Sequence, residues 1–176
     1  MSKMFLQTVI DPTLLRLVPH GIPVTDSARA MLYAIGLQES AFEYPFQVID
    51  RNDLTRKGPA RGYWQFELGG GVRGVLSHKA SSAIARIFTA AIVGSNSTNE
   101  GAVWATLEFR DELACILARL LLWTDPKPLP DPILASMDTA WDYYIRNWRP
   151  GKEKPKTWPG YWQAAVSMIR EPVIAK

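Results

Sequence analysis

The chain is expected to be mainly α: one helical domain with a small extended or β-hairpin lobe beside a cleft. Three features predict this. Proline-free stretches of helical composition and periodicity recur at residues 25–40, 81–93, 102–123, 133–148 and 160–170. Residues 43–57 instead set Tyr44, Phe46, Val48 and Ile49 among Pro45, Asp50, Asn52 and Asp53, a pattern of strand formers interrupted by turn formers. The whole is 176 residues long, 47% hydrophobic and 21% charged, which suffices for a single domain with a real core and excludes a disordered chain.

Each element has a local cause. Residues 1–24 contain Pro12, Pro19 and Pro23 and are expected to form a short helix or extended lead-in packed on the domain. Thr25 or Asp26 supplies an N-cap, and the helix that follows ends near Ser40. After the extended segment, Gly69-Gly70-Gly71 reads as a flexible turn. No Lys-Ser/Thr follows it, so a phosphate-binding loop is not expected. The loop 94–99 separates two helices; its Asn96-Ser97-Thr98 matches a glycosylation acceptor but reads simply as loop. Four prolines within 125–132 forbid a helix and make a rigid connector, while 149–155 forms the last loop.

Several function classes receive no support. The lone Cys115, flanked by Leu113, Ile116 and Leu117, excludes an internal disulfide framework and reads as a core thiol. His20 and His78 have no ligand-spaced partners, so no metal and no cofactor is expected. Residues 1–18 lack the apolar run and small-residue site of a secretory signal. The longest apolar run, 113–123, contains Arg119 and is too short for the roughly 20 residues that a membrane span needs. Basic residues with Trp148 and Trp158 cluster between 146 and 158, a mixture suited to single-stranded nucleic acid. No recognition motif accompanies the cluster, and nucleic acid is not the expected partner.

The most informative residues are Glu39-Ser40-Ala41-Phe42 and, beyond a polar stretch, Gly62-Tyr63-Trp64-Gln65. Leu32, Ile35 and Glu39 follow at helical spacings, which places the acid on the face that should turn inward. Loss of water there disfavours the carboxylate and raises its pKa, as a general acid requires. The alternative is a solvated charge one position off that face.

The pair of segments resembles the lysozyme-like lytic transglycosylases, whose pattern is Glu-Ser-x-Phe at a helix end followed by Gly-Leu-Met-Gln. Tyr63 and Trp64 replace the middle pair. The resemblance implies a lysozyme-like α+β fold whose single acid, Glu39, protonates the β-1,4 bond between N-acetylmuramic acid and N-acetylglucosamine. The same residue then deprotonates the muramoyl C6 hydroxyl to form a 1,6-anhydro product. It further implies that Ser40, Gly62 and Gln65 contact substrate, with at least one of Tyr63 and Trp64 facing the cleft. Where the family carries Ala-Tyr-Asn, this chain has Trp141–Trp148, and Tyr143, Tyr144 and Asn147 are the candidates for substrate contact.

A hydrolytic muramidase would need a second carboxylate, for which Asp50 or Asp53 is available, with Glu67 behind them. Ordinary turn chemistry is nonetheless the expected role of both aspartates. Seven Trp and six Tyr suit stacking on sugars, although core packing explains aromatics equally well and is the expected role of Trp104 and Trp123. A net charge of +3 suits an anionic wall. A small wall-cutting enzyme without an export signal looks like a bacteriophage product, made in the host cytoplasm and acting on peptidoglycan after holin release or from the virion. The competing class is a non-catalytic phage structural or glycan-binding protein of the same fold.

Overall fold

The computed structural model describes residues 2–170. It begins with α1 (Ser2–Phe5), a π-helical stretch (Leu6–Ile10), α2 (Asp11–Leu17) and a 3-10 turn (Val18–His20). The lead-in is thus helical, with Leu6, Ile10, Leu14 and Leu17 buried at spacings of four, four and three. Pro12 and Pro19 sit at early positions of their helices, where the missing N–H has no partner to lose. Thr25 caps α3 (Asp26–Ser40) by accepting the Ala28 N–H at 3.1 Å. α3 is buried along nearly its whole length, from Ala28 to Gly36, and is the central helix of the molecule.

Strands β1 (Phe46–Val48), β2 (Lys57–Arg61) and β3 (Phe66–Glu67) form an antiparallel sheet in that order; β1 lies in the stretch 43–57 expected to be extended, whereas most of β2 and all of β3 lie beyond it. Phe46 pairs with Arg61, and Ala60 pairs with Glu67. The lobe is held to the helices through Glu108, which pairs with Lys57 and, at 3.0 Å, with Arg61. Arg61 also lies 4.3 Å over the Trp104 ring, and the Trp104 indole donates to the Pro59 carbonyl at 3.0 Å.

The helical region continues with a π segment (Leu68–Val72), α4 (Arg73–Ser77), α5 (Ser82–Val93), α6 (Glu100–Thr106), α7 (Asp111–Trp123), α8 (Met137–Trp148) and α9 (Trp158–Arg170). Three elements differ from expectation. The triple glycine is helical, because Val72 and Val75 bury themselves and Gly71 lies where a Cβ would come within 2.5 Å of the Phe66 ring. Residues 102–123 split at a turn, 107–110, which sinks Leu107 and directs Glu108 at the lobe. Asp111 and Glu112 then start α7 with the acids that a helix N-terminus favours. α8 starts at Met137 and not near Ile133, because the Asp131 side chain accepts the N–H groups of both Ile133 and Leu134 and Ser136 caps the helix.

One contiguous cluster of buried side chains runs from Leu6 to Ala165 and includes Cys115. Trp104 is half-buried as described, whereas Trp123 is 38% exposed at the end of α7 and is not a core residue. No helix among the described residues is long and apolar enough to cross a membrane.

Gly62 is required by this packing. Its φ is +72°, and an added Cβ would stand 2.9 Å from the Ala114 Cβ of α7 and 3.3 Å from the Leu107 carbonyl. Gly62→Ala should therefore destabilise the fold by about 1–3 kcal/mol, read from urea unfolding; unchanged stability would mean that α7 does not press on this turn.

Candidate active site

The end of α3 carries the site. After Glu39 and Ser40 the chain turns through two consecutive left-handed residues, Ala41 (φ 52°) and Phe42 (φ 54°), which are sterically unfavourable for residues with a side chain. Burial of Phe42 holds this turn. Its ring fills the space over Gly36, where a Cβ would be 2.2 Å from it, and packs against Phe5, Tyr33, Tyr63 and Trp64. The Ser40 hydroxyl accepts the Phe42 N–H at 3.2 Å and donates to the Tyr63 carbonyl at 2.7 Å. The two segments that stood out in the sequence are therefore joined directly.

On the other side of that joint, Gly62 N–H donates to the Pro45 carbonyl at 2.9 Å and Gln65 N–H closes the turn onto Gly62. Gln65 has φ 52°, and its side-chain amide donates to the Gly62 carbonyl at 3.0 Å. Trp64 is fully buried; its indole donates to the Leu32 carbonyl of α3 at 2.8 Å. The Trp148 indole donates in turn to the Trp64 carbonyl at 2.9 Å.

Glu39 opens onto a cleft of about 1270 Å³ between α3, the sheet, the π segment and the loop after α8. Its Oε1 accepts a 2.6 Å hydrogen bond from the Tyr144 hydroxyl, while Oε2 has no hydrogen-bond partner among the described residues. Burial raises the Glu39 pKa to about 7, against the opposing pull of the Tyr144 hydrogen bond and the Lys154 charge. Tyr144 is itself buried, stacked on Trp158 at 5.1 Å and 11°, and its burial beside Glu39 pushes its own pKa far upward, so it stays a neutral donor.

The expected site residues divide sharply. Glu39, Ser40, Gln65 and Asn147 line the cleft. Ser40 commits its hydroxyl to Tyr63, and Asn147 donates to Asp125 and Tyr143, so both act in structure. Trp64 is corrected from cleft residue to core residue, since a ring with no exposed surface offers no face to a sugar. Tyr63 packs edge-on against Phe5 and Phe42 and does not line the cleft. Gly62 faces α7, not the cleft.

Tyr143 is buried with its hydroxyl donating to the Leu122 carbonyl, and Tyr144 stands behind Glu39 as its partner, away from the cleft lining. Asp50 and Asp53 cap turns in the β1–β2 connection by accepting the Asn52 and Thr55 N–H groups, and neither lines the cleft. The acids that share the cleft with Glu39 are Glu43, paired with Arg51, and Glu67.

Sequence reasoning missed Gln38, Glu43 and the loop residues Arg149, Lys152 and Lys154. Gln38 is 6% exposed and holds the Lys154 carbonyl and the Thr157 hydroxyl. No local pattern reveals a contact across more than a hundred residues, although the cluster of basic residues after α8 was visible. Among the described residues no group of three His, Cys, Asp or Glu side chains is placed to hold a metal ion. Comparison with protein-family models, with curated proteins and with solved structures finds no match.

The raised pKa has a stability consequence. A carboxyl that titrates near 7 when folded and near its ordinary 4.5 when unfolded favours folding fully below about 4.5 and loses that contribution as pH rises through 7. Glu39→Gln should therefore melt with the wild type at pH 4 and above it at pH 8, by at most about 3 kcal/mol. A gap independent of pH would mean that Glu39 is solvated. Tyr144→Phe removes the hydrogen bond that favours the charged form, so the Glu39 titration, followed by carboxyl NMR, should move upward from 7.

Proposed function

We propose that this protein is a glycosidase of bacterial cell-wall peptidoglycan that cleaves between N-acetylmuramic acid and N-acetylglucosamine with Glu39 as its acid and base. The observation that carries the reading is one carboxyl, poised to titrate near neutrality, opening into a cleft of about 1270 Å³. A protonated Glu39 donates to the leaving glycosidic oxygen through its free Oε2 while Tyr144 fixes Oε1. The resulting carboxylate takes the proton from the muramoyl C6 hydroxyl, whose oxygen closes onto C1 as the 1,6-anhydro ring. The acid is then regenerated, and no water is consumed.

Support for the transglycosylase over the hydrolase comes from the turn-capping roles of Asp50 and Asp53, which leave neither carboxylate facing the cleft. A hydrolytic course would draw on Glu67 or Glu43, which do face it. A phage origin and action on the wall after release or from a virion belong to the same proposal as expectations from the sequence.

Glu39→Gln should lower the rate of peptidoglycan clearing by about 10²–10⁴-fold, since the amide keeps the shape and cannot transfer the proton. Retention of wild-type clearing would remove Glu39 from the chemistry, and failure of the wild type to clear any peptidoglycan would leave a non-catalytic protein. Mass spectrometry of the digest after borohydride treatment should show anhydro-muropeptides that take up no hydrogen. Asp50→Asn and Asp53→Asn should each keep most activity. Reducible muramoyl ends would instead establish hydrolysis and direct attention to Glu43 and Glu67.

A further inference from the structure

The loop between α8 and α9 presents Arg149, Lys152 and Lys154 to the same cleft as Glu39. The two other arginines in the cleft are neutralised locally: Arg51 pairs with Glu43, and Arg146 pairs with Asp125 at 2.8 Å. Among the described residues, no carboxylate lies within ion-pair distance of Arg149, Lys152 or Lys154. The loop is also fixed relative to the acid. Gln38, the residue before Glu39, donates to the Lys154 carbonyl at 3.0 Å and accepts the Thr157 hydroxyl at 2.9 Å. At its other end, Arg149 stands in the left-handed region (φ 46°, ψ 55°), its N–H on the Ile145 carbonyl and its Nε on the Arg146 carbonyl at 3.3 Å. Three cations are thus held along one side of the cleft; the Lys154 charge acts on Glu39, which leaves Arg149 and Lys152 without a carboxylate partner among the described residues.

A neutral sugar chain, whose hydroxyl and acetamido groups carry no charge, would leave these cations without a counter-ion. We propose that this loop is a carboxylate-binding subsite, and that the enzyme selects glycan strands whose attached peptides carry free carboxylates lying along Arg149 and Lys152. The inference rests on the glycosidase reading above. Exposed charge pairs of this kind contribute modestly one by one, but two acting on the same bound strand discriminate severalfold and weaken as salt rises.

The test compares native peptidoglycan with the same material after chemical amidation of its peptide carboxylates, which changes charge without changing the sugars. Arg149→Asn, which retains a residue tolerant of the left-handed conformation, is combined with Lys152→Gln on an exposed bend. The wild type should prefer the native substrate in kcat/KM. The double variant should lose that preference by about threefold to tenfold, mainly through KM, and the wild-type preference should shrink with added salt. Equal wild-type rates on the two substrates, or an equal fall of the variant on both, overturns the subsite while leaving the glycosidase intact. A wild type inert on both substrates ends the glycosidase reading and this inference with it. Retention on single-stranded oligonucleotides at low salt that is lost in the double variant, together with equal wild-type rates on native and amidated peptidoglycan, would reassign the loop to nucleic acid and overturn it as well.

Discussion

The Ser40 hydroxyl is the joint on which the site depends. Its one proton goes to the Tyr63 carbonyl at 2.7 Å and its lone pair receives the Phe42 N–H, so the end of α3 and the Gly62–Gln65 turn share one small polar group. The attachment is reinforced by indoles: Trp64 donates to the Leu32 carbonyl and Trp148 to the Trp64 carbonyl. Buried carbonyls left without such donors would be costly, which makes these contacts obligatory once the aromatic rings are packed. Glu39 cannot move without pulling on this arrangement. Its position at the cleft wall is thus a property of the core and not of a flexible loop.

The same packing sets the chemistry. An acid on an exposed helix end titrates in the ordinary carboxylate range, whereas Glu39 is buried beside Tyr144, itself packed on Trp141 and Trp158, and shifts to about 7. Tyr144 and Lys154 oppose the shift without cancelling it, which leaves the group protonated for a useful fraction of molecules near neutral pH. Strain is concentrated nearby. Ala41, Phe42 and Gln65 all have positive φ, and all three lie within the two segments that bracket the acid.

Misreadings of the sequence share a cause. Helix content and the strand-turn alternation of 43–57 were readable because periodicity and turn formers act over a few residues, and Thr25 as cap followed from the same local rules. The helical course of Gly69–Gly71 was not, since it depends on the Phe66 ring lying where a side chain at Gly71 would stand. The break at 107–110 depends on Glu108 reaching the cations of β2. Gly62 was assigned to the cleft by the family pattern and Trp64 by adjoining the Gly62–Gln65 turn, yet backbone geometry turns the indole under α3 and the glycine against α7.

By itself, then, the sequence determined a mostly helical chain with a small extended lobe, one acid at the inward face of a helix end, and a basic loop late in the chain, because each depends on neighbours a few positions away. Tertiary structure alone decided that Tyr144 holds Glu39, that Gln38 fastens the basic loop, and that Asp50 and Asp53, whose turn-capping contacts are local, lie outside the cleft lining. Those outcomes are set by contacts between residues about a hundred positions apart, or by which way a turn faces. Such distances and directions exist only once the core of α3, α7 and α9 has closed, and no periodicity along the chain encodes them.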